Sequence, residues 1–71
     1  MHYLVVLEEG RESFGAYVPD LPGCIVAGES RKEALALIRE AIEFHIDSLK
    51  QDGAPVPVPS SESAFVEISA A

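Results

Sequence analysis

The sequence predicts a small α+β domain of order β-β-β-α-β: an antiparallel three-stranded meander, one long helix packed on one face, and a fourth strand. Three observations predict it. Short Val- and Leu-rich runs alternate with turn-forming residues up to Gly28. Helical periodicity then follows a Ser-x-x-Glu start at Ser30 and Glu33. A final alternating run, Ala64 to Ile68, stands behind a proline-rich stretch.

The first strand is expected over about residues 3–8, where Tyr3, Val5 and Leu7 alternate with Leu4 and Val6. Glu9 to Ser13 carries the turn, and Phe14 to Val18 resumes an extended pattern, giving a second strand over about 13–18. Pro19 ends it because proline has no N–H for a sheet ladder. Pro22-Gly23 marks a turn before a third strand over about 24–28. Ser30 can accept from an early helical amide while Glu33 reaches back, so a helix is expected over about 31–51. Leu35, Ile38, Ile42 and Leu49 form its apolar stripe, widened by Ala34, Ala41 and Ile46. Gly53 is the expected stop, since glycine accepts the left-handed conformation that ends a helix. Residues 54–61 favour an extended polyproline-like connector. A fourth strand is expected over about 63–68, and the helical crossover is long enough to bring it in parallel to another strand.

With 71 residues, the chain holds one small core, and residues 1–71 are expected to form a single domain. A core of this size alone supplies only about 3–5 kcal/mol. One helix covers one face of the sheet, yet the first strand is apolar on both sides. A homodimer or higher symmetric oligomer is therefore expected.

Twelve acidic against five basic residues give a net charge of −7. That is the wrong sign for neutralising phosphates and argues against direct nucleic-acid binding. It suits a basic protein partner. Phe14 and Tyr17 could stack on bases, but Arg11 alone makes no positive groove beside them. The longest apolar run, Tyr3 to Leu7, is far short of the ~20 residues a membrane span needs. No charged leader precedes it, so no membrane contact and a cytoplasmic location are expected. One cysteine and two histidines are too few for a closed zinc site, and no cofactor is expected. Cys24, with nothing basic beside it, reads as a small buried hydrophobe. His45 reads as a core-edge histidine, and no nucleophilic triad can be assembled.

The stretch Tyr17-Val18-Pro19-Asp20-Leu21-Pro22-Gly23-Cys24, followed by Ala27-Gly28-Glu29-Ser30 and Glu33-Ala34-Leu35, resembles the HicB antitoxin family. So does the helix end, where Ala41-Ile42-Glu43, Leu49 and Asp52-Gly53 lead into Pro55-Val56-Pro57. The resemblance spans about Tyr3 to Ser60 and implies a partial RNase H fold of the same β-β-β-α-β order. It implies a non-enzymatic antitoxin that neutralises a small basic HicA-type RNase toxin by protein contact. Many such antitoxins carry a DNA-binding segment after this domain; none follows the fourth strand here, so a stand-alone member is expected.

The candidate partner-binding residues are Glu8, Glu9, Glu12, Asp20, Leu21, Pro22 and Glu29. The Pro19–Cys24 segment has two readings. Its prolines and Gly23 fix a structural corner, with Asp20 capping the turn, or the corner is exposed and docks a partner. Two other functions stay open: an orphan oligomeric domain without a toxin, and a metal-dependent RNase H-type nuclease. The nuclease would need a carboxylate set from among Glu8, Glu9, Glu33, Glu40 and Glu67, and their spacing assigns none.

Overall fold

The computed structural model describes residues 1–69. Three strands, β1 (Val6–Glu9), β2 (Phe14–Tyr17) and β3 (Ile25–Gly28), form an antiparallel meander in the order β1-β2-β3, followed by α1 (Arg31–Gln51). Leu7, Ala16 and Val26 share one register line, and Glu9, Phe14 and Gly28 another. Strand alternation puts both lines on the face that α1 covers. The core there comprises Ala16, Val18, Leu21, Cys24, Ala34 and Ile38, with Tyr3, Val5, Leu7, Phe14, Val26, Ala41 and Ile42 packed around it. The other face carries Val6, Tyr17 and Ile25 in one line, and no element among the described residues covers it; Ile25 is exposed.

Each boundary has a local cause. The β1 ladder begins only at Val6 because its register would set Leu4 opposite Pro19, which cannot donate. Helix α1 starts on Ser30, whose Oγ accepts from Glu33 N at 3.1 Å. The Glu33 carboxylate accepts from Glu29 N, one residue before the position a strict capping box uses. Two bonds of a Schellman motif close the other end: Gly53 N to Lys50 O at 3.1 Å and Ala54 N to Leu49 O at 2.9 Å. Gly53 supplies the positive φ of 70° that this requires. Gly28 has a different role, since a Cβ there would meet Ala34 N at 2.9 Å. Its bare backbone lets the start of α1 sit directly on β3.

The fourth strand expected over residues 63–68 does not form within this chain. Residues 62–69 are exposed and belong to no strand, with Phe65, Val66 and Ile68 all open to solvent. Alternation supplies strand propensity, but a strand needs a neighbour for its N–H and C=O groups, and this segment meets none of β1–β3. No helix of the described residues is long and apolar enough to cross a membrane.

Candidate functional site

The corner between β2 and β3 consists of two consecutive β-turns. Leu21 N donates to Val18 O and Cys24 N donates to Leu21 O, both at 3.1 Å. Pro19 and Pro22 therefore each occupy the second position of a turn, where a φ fixed near −65° is wanted. Gly23, at φ 84°, supplies the positive φ of a type II turn at the next position. Val18 N donates to Cys24 O at 3.1 Å and joins the base of the corner to the sheet. Leu21, between the turns, points inward and is completely buried. It plugs the corner and presents no surface to a partner. Pro19 and Pro22 are exposed outside it.

Asp20 does not cap its own turn. Its carboxylate reaches across to the connector and accepts four hydrogen bonds: Ser60 N at 2.8 Å, Ser60 Oγ at 3.2 Å, Ser61 N at 2.9 Å and Ser61 Oγ at 2.7 Å. Backbone N–H donation from Ser61 and then Ser60, joined by the Ser61 hydroxyl, favours the ionised form and lowers the Asp20 pKa to about 2. A second contact holds the same segment, because the Tyr3 hydroxyl donates to the Pro57 carbonyl. The connector thus passes the start of the first strand and is pinned at the corner beyond β2. Cys24 is buried against this corner, and its desolvation raises the thiol pKa, so it packs as a neutral small hydrophobe.

The candidate binding residues fall at two opposite ends of the sheet. Glu8 and Glu9 finish β1, Glu12 lies in the hairpin loop and Glu29 follows β3; all four are exposed at the hairpin end. Arg11, Arg31 and Lys32 lie at that end too, so it is mixed in charge. Asp20, Leu21 and Pro22 occupy the far end, about 13 Å away along a four-residue strand. No single patch contains all seven residues.

Sequence reasoning passed over a groove of about 580 Å³ beside the residues that lead into β1. Tyr3 and Val5 form one wall, and Leu35, Ile38, Ile42 and Ile46 of α1 form the other. Helix α1 packs chiefly over β3 and β2, which leaves the start of the first strand less covered and opens the groove beside it. Arg39 and Glu43 pair on the rim at 3.5 Å; as an exposed i,i+4 pair they contribute little to stability.

Among the described residues, no three His, Cys, Asp or Glu side chains are grouped to hold a metal ion. Glu33 is occupied by the helix cap and Glu67 lies on the exposed tail. What the fold offers is surface: a charged hairpin end of mixed sign, a rigid double-proline corner and an apolar groove. They belong to a small α+β domain of three antiparallel strands and one long helix.

The chain belongs to the family described as "HicB_like antitoxin of bacterial toxin-antitoxin system", which it matches over residues 3–69. It is 37% identical over 67 residues to a UPF0150 protein of Thermoplasma acidophilum, covering 93% of this chain and 97% of that one. It is 34% identical over 71 residues to Antitoxin HicB 2 of Photorhabdus laumondii, covering 99% of this chain and 51% of that protein, about half its length. Among solved structures, a chain of the "HicA3 and HicB3 toxin-antitoxin complex" superposes with a TM-score of 0.71 at 32% identity, covering 84% of this chain and 70% of that one.

Proposed function

We propose that this chain is an antitoxin domain that binds a small basic HicA-type RNase toxin and neutralises it by protein contact, with no catalysis of its own. The observation that carries this reading is the superposition, at 32% identity, on a chain of a complex named for a HicA toxin and a HicB antitoxin. The net charge of −7 supports it, since a strongly acidic chain steers a basic enzyme into encounter. Exposed Glu8, Glu9, Glu12 and Glu29 would supply complementarity at the hairpin end, and Pro19 and Pro22 a rigid contact at the corner. Leu21 drops out of the contact set because it is buried, and Asp20 because its oxygens are already engaged. A cytoplasmic site of action belongs to the same reading, where a lone buried thiol and no disulfide suit a reducing compartment.

The test is titration of the chain into a genomically adjacent HicA-like toxin, followed by calorimetry and RNase activity together. Binding with loss of RNase activity is expected. Heat-silent mixing with undiminished activity removes the antitoxin reading and leaves an orphan domain. Joint Glu8→Lys, Glu9→Lys and Glu12→Lys substitution should slow association and alter its salt dependence, because exposed charges act through steering. Unchanged association would move the contact to the Pro19–Pro22 corner.

A further inference from the structure

We infer that Ser60 is a phosphorylation site, and that a phosphoryl group on its hydroxyl releases the connector from the Asp20 corner. This goes beyond the toxin-binding reading and does not depend on it.

Polar grips hold the connector to the body: the Tyr3 hydroxyl at Pro57, and the Asp20 carboxylate at Ser60 and Ser61. Continuing the β1–β2 register sets Tyr3 opposite Asp20, so both grips lie at one end of the sheet. Two of the four bonds at Asp20 come from hydroxyls, which donate only while they carry their proton. Ser60 is the one an enzyme can reach. It is exposed and its hydroxyl bond is the longer, at 3.2 Å, whereas Ser61 is half-buried and bonded at 2.7 Å. Pro55, Pro57 and Pro59 keep the approach to Ser60 extended, and residues 62–69 beyond it are exposed and belong to no strand. This stretch can therefore enter an extended enzyme cleft without unfolding the core. The other serines lack one property or the other. Ser30 caps α1 and Ser48 lies within it, while Ser13 sits in the hairpin turn, its carbonyl accepting from Gly10 N at 2.7 Å. Ser63 and Ser69 are exposed but lie past the grip.

The step is phosphoryl transfer from a nucleoside triphosphate by a protein serine kinase. A bond forms between Ser60 Oγ and the γ-phosphorus as the bond from that phosphorus to the β–γ bridging oxygen breaks. Nucleoside diphosphate leaves, and the hydroxyl proton passes to the kinase's base. The product places about −1.5 to −2 of charge and three acceptor oxygens where a donor stood. Asp20 opposite is ionised, so two anions face each other across a former hydrogen bond, and like charges so placed disrupt their contact. Ser61 follows Ser60, because adjacent residues carry all four donors. The Tyr3 grip at Pro57 lies three residues back, so release is confined to the end of the connector. The freed carboxylate then stands between exposed Pro19 and Pro22 and offers the corner acceptor oxygens that the seated connector otherwise occupies.

The test has two arms, both on the full-length chain. Fragment mass spectrometry of the chain isolated from the cells that make it should find a phosphoryl group at Ser60. Chain with phosphoserine genetically incorporated at position 60 is then compared with unmodified chain by nuclear magnetic resonance. The Ser60 and Ser61 amides should exchange at least about tenfold faster, as expected for loss of hydrogen bonds to a charged group. The Asp20 carboxyl should titrate at 3.8 or above instead of about 2. Signals of Ala34 and Ile38 in the core should stay in place, and phosphoserine at position 63 should change none of these readouts. In Asp20→Asn the phosphoryl group at position 60 should add little further exchange, because the repelling charge is gone. Phosphate found only at other residues, or at none through growth and starvation, would overturn the site. Retained amide protection with Asp20 still titrating near 2 would overturn the release. Equal loosening by phosphoserine at position 63 would overturn the part given to Asp20.

Discussion

Leu21→Ala tests the placement of the corner most directly. In the structure Leu21 is fully buried between two β-turns. Removing a buried leucine loses transfer free energy and leaves a cavity, together about 2–5 kcal/mol. Two prolines and the Val18–Cys24 backbone bond hold the corner rigid, which limits collapse and places the loss near or above about 3 kcal/mol. At about 0.05–0.15 kcal/mol per residue, a 71-residue domain has roughly 4–11 kcal/mol in total, and the size of the core argues for the lower half. With a urea slope of about 1 kcal/mol/M, the midpoint should fall by about 3 M, enough to populate the unfolded state without denaturant. Leu21→Met, which nearly conserves volume, should lose less than about 1.5 kcal/mol. The assay is urea unfolding followed by circular dichroism at one fixed protein concentration, because any dimerisation adds to apparent stability. If Leu21 were an exposed docking residue, Leu21→Ala would lie within about 0.5 kcal/mol of the parent. A midpoint shift below about 0.5 M, with toxin binding lost, would refute the buried corner.

Gly23→Val should destabilise by at least about 1 kcal/mol in the same assay, purely through backbone conformation. Its φ is 84°, yet an added Cβ would have no atom within 4 Å, so sterics beyond the backbone play no part. Asp20→Asn should remove an acid-dependent component of stability. The folded-state pKa, about 2, lies below the ordinary value of 3.8, so the carboxylate stabilises the fold fully above about pH 4. That contribution is lost as the pH falls through about 2. Urea midpoints measured between pH 5 and 2 should therefore decline more steeply in the parent than in Asp20→Asn, and parallel curves would contradict the tether.

What was legible in the sequence is what depends on near neighbours. The hairpin, the Ser30–Glu33 cap and the Gly53 stop each involve residues within a few positions of one another, and residue type is enough to specify them. The double-turn corner was half legible. Two prolines and a glycine announce turns, but nothing periodic marks Leu21 as core, because a single residue between two turns has no repeat to read. Asp20 was assigned to its own turn because local capping is the usual use of an aspartate there. Its actual donors, Ser60 and Ser61, are 40 and 41 residues away, and only their arrival at the corner reveals them. The groove was hidden for a related reason: periodicity gives the width of a helix stripe but not which part of it has a sheet beneath. The tail shows the same limit, since Phe65, Val66 and Ile68 alternate like a strand while pairing depends on an edge that sequence does not position.

The separation of the two ends constrains where a partner can dock. A toxin seated on Glu8, Glu9 and Glu12 lies at the hairpin end and leaves the Asp20 tether untouched. One that recruited the Asp20 carboxylate would have to displace four hydrogen bonds and release the connector that directs the tail. Coupling between sites is reciprocal, so corner docking would make toxin affinity depend on release of the connector, whereas hairpin-end docking would leave the tether in place. The groove lies beside Tyr3 and Val5, ahead of β1, and the acidic residues lie at the opposite end of that strand, at Glu8 and Glu9. A basic partner held at the hairpin end therefore leaves both the groove and the connector as they are.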